Sequence, residues 1–170
     1  MIEILKILIP SSLVLATAYL LIDKLLNNEN ERRAFELKKD SLKQLTPVRL
    51  RAYERLILVL ERTVPGNLLL QVSSTNKNCM QLHGELLNTI RSEFSHNVSQ
   101  QIYVSDDAWS AVKAAQENLI KLLNMCASQC QSDEDSAKLV EYFINAYASL
   151  DETSTDIAIA ILKKEVRTFF

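Results

Sequence analysis

CMQLHGELLNTIRSEFSHNVSQQI, residues 79–102, carries Leu82, Leu86, Ile90, Phe94, Val98 and Ile102 at a constant spacing of four. Positions i and i+4 share one face of an α-helix, so the row predicts a single long helix with one buried stripe. At about 100° per residue, His83, Asn97 and Gln101 all fall within about 20° of Ile90, on that stripe, while His96 falls on the far side. A buried amide without a partner costs about 1–3 kcal/mol. Asn97, Gln101 and His83 are therefore expected to bond open backbone groups at neighbouring helix ends.

The stretch that follows, EFSHNVSQQIYVSDDAW (93–109), crowds polar and aromatic side chains into the joint between this helix and the next. It reads first as a fastening of two helices. The sharper reading makes His83, His96, Asn97, Gln100, Gln101, Tyr103 and Trp109 a partner or ligand surface.

Downstream, Ser105 is an expected N-cap, with Asp106 and Asp107 at the positive end of a helix that buries Trp109, Val112, Leu119, Ile120 and Leu123. Ser132 with Asp135 approximates a capping box for a helix burying Val140, Phe143, Ile144 and Tyr147. Thr153 with Asp156 starts a last helix to about Thr168; its IAIAIL run mimics strand alternation but has no evident partner strand. Upstream, VRLRAYERLILVLERTV (48–64) places Leu50, Tyr53, Leu56, Ile57 and Leu60 at helical spacing, and Leu58, Val59 and Val64 widen the apolar surface. This is the expected central helix. Pro65-Gly66-Asn67 breaks it, Leu68 to Val72 is too short to classify, and SSTNKN is a polar loop.

Only two Gly and three Pro occur in 170 residues that are 48% hydrophobic and 24% charged. Sandwiches and barrels lack their punctuation here, and the fold class expected is all-α. Residues 47–170 form a bundle of about five helices.

From Ile4 to Ile22 the chain reads ILKILIPSSLVLATAYLLI, nineteen residues with one charge, Lys6. A helix of that length covers nearly the ~30 Å of bilayer hydrocarbon. Residues 1–26 are therefore expected to be a transmembrane anchor, with Ile4, Leu8, Leu13, Leu15, Tyr19 and Leu21 against lipid. Pro10 is tolerable there beside Ser11 and Ser12. Two rivals are a signal peptide cut after Ala16-Thr17-Ala18, leaving Tyr19 first, and a core helix of a soluble protein. Lys24, Arg32, Arg33, Lys38 and Lys39 follow the span, against Lys6 before it, so the bulk is expected on the cytoplasmic side.

Residues 27–45 read as a charged stalk. Glu29/Arg33 and Arg32/Glu36 sit at the i,i+4 separation of helical ion pairs, and Phe35, Leu42 and Leu45 offer a self-association seam. Thr46-Pro47 is expected to end the stalk and start a new helix.

Cys79, Cys126 and Cys130 are an odd set without the spacing of a disulfide framework, which fits a reducing compartment. Glu93-x-x-His96 has di-iron spacing, but two histidines in the whole chain do not complete such a site. Cys126 and Cys130 share a helix face with Leu119 and Leu123 and read as buried thiols rather than zinc ligands. No metal and no cofactor is expected. No Gly-rich phosphate loop exists, and the excess of acids after residue 65 argues against nucleic acid.

On EFSHNVSQQIYVSDDAW and the preceding LRAYERLILVLERTVPGNLLLQV, the chain resembles a family of small uncharacterised bacterial proteins with one amino-terminal membrane helix and a helical cytoplasmic portion. The resemblance covers residues 1 to about 130 and implies the bacterial inner membrane; the family has no assigned activity to transfer. The function expected is a single-pass anchored adaptor or scaffold, possessing no catalytic residues, that holds the bilayer through residues 4–22 and meets a protein partner or a second copy. The alternative is a membrane-tethered enzyme or ligand sensor with a pocket near His83, Asn97, Gln101 and Tyr103.

Overall fold

The computed structural model describes residues 2–72, 76–131 and 133–169; in the first helix, the side chains of residues 2–14, 16, 18, 27, 34, 38, 40–42 and 44 lie outside that description. The chain divides into two units, Met1–Leu45 and Thr46–Phe170. Six helices follow one another: α1 (Ile2–Thr63), α2 (Pro65–Gln71), α3 (Cys79–His96), α4 (Asp106–Ala127), α5 (Ser136–Ala148) and α6 (Ser154–Arg167), with a 3-10 turn at Val98–Ile102. Among the described residues the fold is all-helical; one isolated antiparallel bridge joins Asn78 to Asp135.

The first unit is a stretch of α1. Leu15, Tyr19, Leu20, Leu21, Ile22, Leu25 and Leu26 are exposed in it, as are Phe35, Leu37 and Leu45. Arg32 and Glu36 pair at 3.1 Å and Arg33 and Glu29 at 3.7 Å, both on exposed side chains. The expected anchor residues Ile4, Leu8 and Leu13, and Leu42 of the seam, lie outside the described side chains. Among the described residues no helix is long and apolar enough to cross a membrane. The expected break at Thr46-Pro47 does not occur, since both residues are helical within α1. Pro47 removes one backbone donor, but it is exposed, so water is at hand for the carbonyl one turn back.

In the second unit, α1 ends where Thr63 turns its hydroxyl onto the carbonyls of Val59 and Leu60. Asn67 and Gln71, from α2, donate to the carbonyls of Glu61 and Arg62, which serve as a C-cap from outside the helix. Pro65 does more than break α1. It takes the first position of α2, where its fixed φ suits a helix start, and Leu68 and Val72 then reach the core.

Tyr53, Leu56, Leu60, Leu82, Leu86, Ile90, Val112, Leu123, Leu139, Phe143 and Leu162 are all essentially inaccessible to solvent and form one core. Each such aliphatic side chain contributes about 1.5–3 kcal/mol on burial. Helix α4 packs against α3, α5 and α6, and α3 against α5. Some expected core positions point outward instead: in α1, Leu58 is exposed because Val59 takes its place on the inner face, and in α5, Ile144 is exposed because the stripe runs through Leu139 and Phe143.

The helix starts are set by side chains. Ser105 accepts from Ala108 N at 3.1 Å, and Thr153 forms a reciprocal capping box with Asp156. Asn78 and Gln81 form another at the head of α3. Asp135, not Ser132, caps α5, accepting from Ala137 N at 2.8 Å; Ser132 lies outside the described residues.

Candidate functional site

The long helix expected over 79–102 stops early, and the reason lies in Asn97. Its side-chain amide donates to the carbonyl of Glu93 at 2.9 Å, the acceptor a continuing helix would offer to a backbone N–H. The Asn97 backbone N–H turns instead to Phe94 at 3.1 Å, and a 3-10 turn follows. That turn rotates Val98 and Ile102 off the stripe into solvent and leaves Gln101 exposed rather than buried. His96 is exposed as expected. Gln100 is half-buried and reaches only the hydroxyl of Ser99, at 3.4 Å.

Of the residues expected to share a pocket, the structure does not bring His83 together with Asn97. They lie on one face, about 40° apart on the wheel, but stand fourteen positions apart, about 21 Å along a helix axis. His83 Nε2 lies 2.8 Å from Asn124 Oδ1 on α4.

What fastens the joint is Glu165, on α6. One carboxylate oxygen accepts from the Tyr53 hydroxyl at 2.7 Å, and the other accepts from the hydroxyl of Ser105, the residue that caps α4. Arg49 adds a second clasp: its Nε donates to the carbonyl of Tyr103 at 3.0 Å and its guanidinium lies 4.5 Å from the Phe169 ring centre. Phe169 meets Tyr53 edge-to-face with centroids 5.6 Å apart. Burial, followed by the neighbouring Glu165 carboxylate, raises the pKa of Tyr53 above its ordinary value. Tyr103 and Trp109 are half-buried here, Trp109 against the core. This cluster ties α1, α4 and α6 together at one point.

A second concentration of chemistry sits at the head of α3. Its wall is formed by Cys79, Met80, His83, Asn124, Ser128 and Cys130 around a hollow of about 360 Å³. Burial, then hydrogen bonding to Cys79, pushes the Cys130 thiol up to about 11. Burial also raises Cys126. The three cysteines are free thiols. A further groove of about 360 Å³ runs between α4 and the α5–α6 connection, lined by Leu119, Leu122, Met125, Tyr147 and Leu150, with Asn118 bonded to Ser154 at 2.7 Å across it.

One family model, described as a family of unknown function (DUF7935), matches residues 1–169. The chain belongs to that family. The match spans both units, the exposed apolar stretch of α1 as well as the core-bearing bundle. No curated protein and no solved structure matches the chain. Of the surface singled out in the sequence, this fold keeps Tyr103 at the fastened joint, packs Trp109 against the core and sends His83 to the thiol-lined hollow. Glu165 carried no signal in the sequence, because its partners Ser105 and Tyr53 lie 60 and 112 positions away.

Proposed function

We propose that the chain is a single-pass membrane-anchored helical adaptor. Residues 4–22 lodge in the bacterial inner membrane, and the unit at 46–170 works on the cytoplasmic side, presented to a protein partner or to a second copy. The observation that carries this reading is the run Leu15 to Leu26, where Leu15, Tyr19, Leu20, Leu21, Ile22, Leu25 and Leu26 are each more than half exposed. Seven large apolar side chains in one short stretch of helix call for a covering phase. The run continues the segment 4–22, whose one charge is Lys6, with Asp23 and Lys24 following at its end, so hydrocarbon suits residues 4–22 better than a protein groove. The cations after the span supply the orientation, and three free thiols fit a reducing side. On the distal unit, the ionisable groups at the helix joint are engaged in holding helices together, which suits a rigid presenting body.

The test is fractionation of the full chain expressed in bacteria. It is expected in the inner-membrane fraction, resistant to alkaline carbonate, with residues 46–170 open to protease only from the cytoplasmic face. Replacing Leu21 and Leu25 by Asp shifts it toward the soluble fraction. Mature protein found soluble with Tyr19 at its amino terminus overturns the reading. A pull-down with the membrane-extracted chain then tests the adaptor role, since a chain that recovers neither partner nor copy under crosslinking does not support one.

A further inference from the structure

Three donors from distant parts of the sequence meet beside the hollow at the head of α3. The sulfurs of Cys79 and Cys130 and a carboxylate oxygen of Glu134 all lie within 4.8 Å of one another. We propose that they form a binding site for a thiolate-preferring divalent cation of the zinc type, with three protein ligands and a fourth position open to water.

The backbone, rather than chance loop packing, brings these groups together. Cys79 opens α3 and donates its own N–H to the carbonyl of Glu134 at 2.8 Å. Ser136 N donates back to the carbonyl of Lys77 at 3.3 Å, and the Cys79 thiol reaches the carbonyl of Asp135 at 3.2 Å. The segment between α4 and α5 is thus pinned to the start of α3 on both sides of the cluster. Cys130 is tied in turn to its own helix end, its thiol 3.6 Å from the Cys126 carbonyl.

The donor set selects the ion. Two thiolates with one carboxylate suit borderline-soft zinc, whereas calcium and magnesium prefer all-oxygen shells. Around a tetrahedral zinc, ligands at about 2.0–2.3 Å stand about 3.5 Å from one another, so atoms within 4.8 Å need to close by no more than about 1.3 Å. The reaction balances as one Zn²⁺ taken up and two thiol protons released to solvent. Two thiolates, one carboxylate and Zn²⁺ leave a net charge of −1. The ammonium of Lys138, already paired with Glu134, offsets it. Glu134 also accepts from Gln131 N at 3.2 Å, and a carboxylate has about four acceptor positions, so a metal can take one while these neighbours stay. The hollow gives the ion and its water an approach, and His83, held by Asn124, stands in its wall.

The experiment is zinc titration of the full-length chain, reduced and in mild detergent, against a chromophoric chelator, with Co²⁺ as the spectroscopic probe. One zinc per chain is expected, together with the thiolate-to-cobalt charge-transfer and visible bands of a tetrahedral sulfur site. Cys130→Ser is expected to weaken binding at least about 100-fold, more than the loss of an outer-sphere partner. Glu134→Gln, on a half-buried side chain outside the apolar core, is expected to weaken it while keeping the charge-transfer band. Cys126→Ser leaves affinity unchanged. A reduced chain that takes up no zinc overturns the proposal, as does uptake that survives replacement of both Cys79 and Cys130, or uptake lost equally in Cys126→Ser. Should Cys79→Ser unfold, the Cys130 and Glu134 variants decide.

Discussion

Residues 15–26 and residues 52–63 are stretches of the same helix built largely from the same side chains, yet they meet opposite fates. In the first, Leu15 is 76% and Tyr19 70% exposed; in the second, Tyr53, Leu56 and Leu60 are at 1% or less. Hydrophobicity does not separate them, but the placement of charge does. Between 49 and 62, Arg51, Glu54, Arg55, Glu61 and Arg62 recur so as to leave one polar face for water, and Arg62 reaches Glu93 at 2.9 Å. Between 15 and 26 the only charges are Asp23 and Lys24, side by side near the end, so no continuous polar face is made for water. A helix with one polar face is completed by a protein core, and a helix without one is completed by something apolar on all sides.

That contrast fixes what substitutions should do. The largest effect is expected from Phe143→Ala, which empties a fully buried site and should cost about 3–5 kcal/mol in denaturant unfolding. Leu20→Ala, equally apolar but exposed, should move the same transition by no more than about 0.5 kcal/mol. Comparable losses from the two would mean that the first stretch has a core of its own.

Next comes the joint. Tyr53→Phe removes a hydrogen bond to a carboxylate and should cost about 1.5–3 kcal/mol. It should also change the pH profile. The folded pKa of Tyr53 lies above its ordinary 10.0, because burial and then Glu165 favour the neutral phenol. The contribution is therefore whole below pH 10.0 and is lost as pH rises through the folded value. A Tyr53→Phe chain should show a shallower alkaline decline than the natural one, and an identical decline would deny Tyr53 this role. The smallest effects belong to Gln101→Ala and His96→Ala, each within about 0.5 kcal/mol, since both side chains face solvent.

Much of the architecture was readable along the chain. The caps at Ser105 and Thr153, the stripe of α3 as far as Phe94 and the all-helical class follow from spacing and local chemistry. What escaped was decided by competition or by height. The i,i+4 row runs on arithmetically to Ile102, but the side chain of Asn97 takes a backbone acceptor and ends the helix. The wheel put His83 and Asn97 on one face and said nothing of the distance along the axis. Glu165 finds Tyr53 112 positions away, and Cys79 finds Glu134 through a bridge that no local pattern announces.

The Glu165 node also bears on how the chain is made. Tyr53 leaves the ribosome long before its acceptor exists, so the hydrogen bond that ties α1 to α6 waits until residue 165 emerges. A message truncated just before that residue's codon yields a body with most of its helices but without the Glu165 link between them.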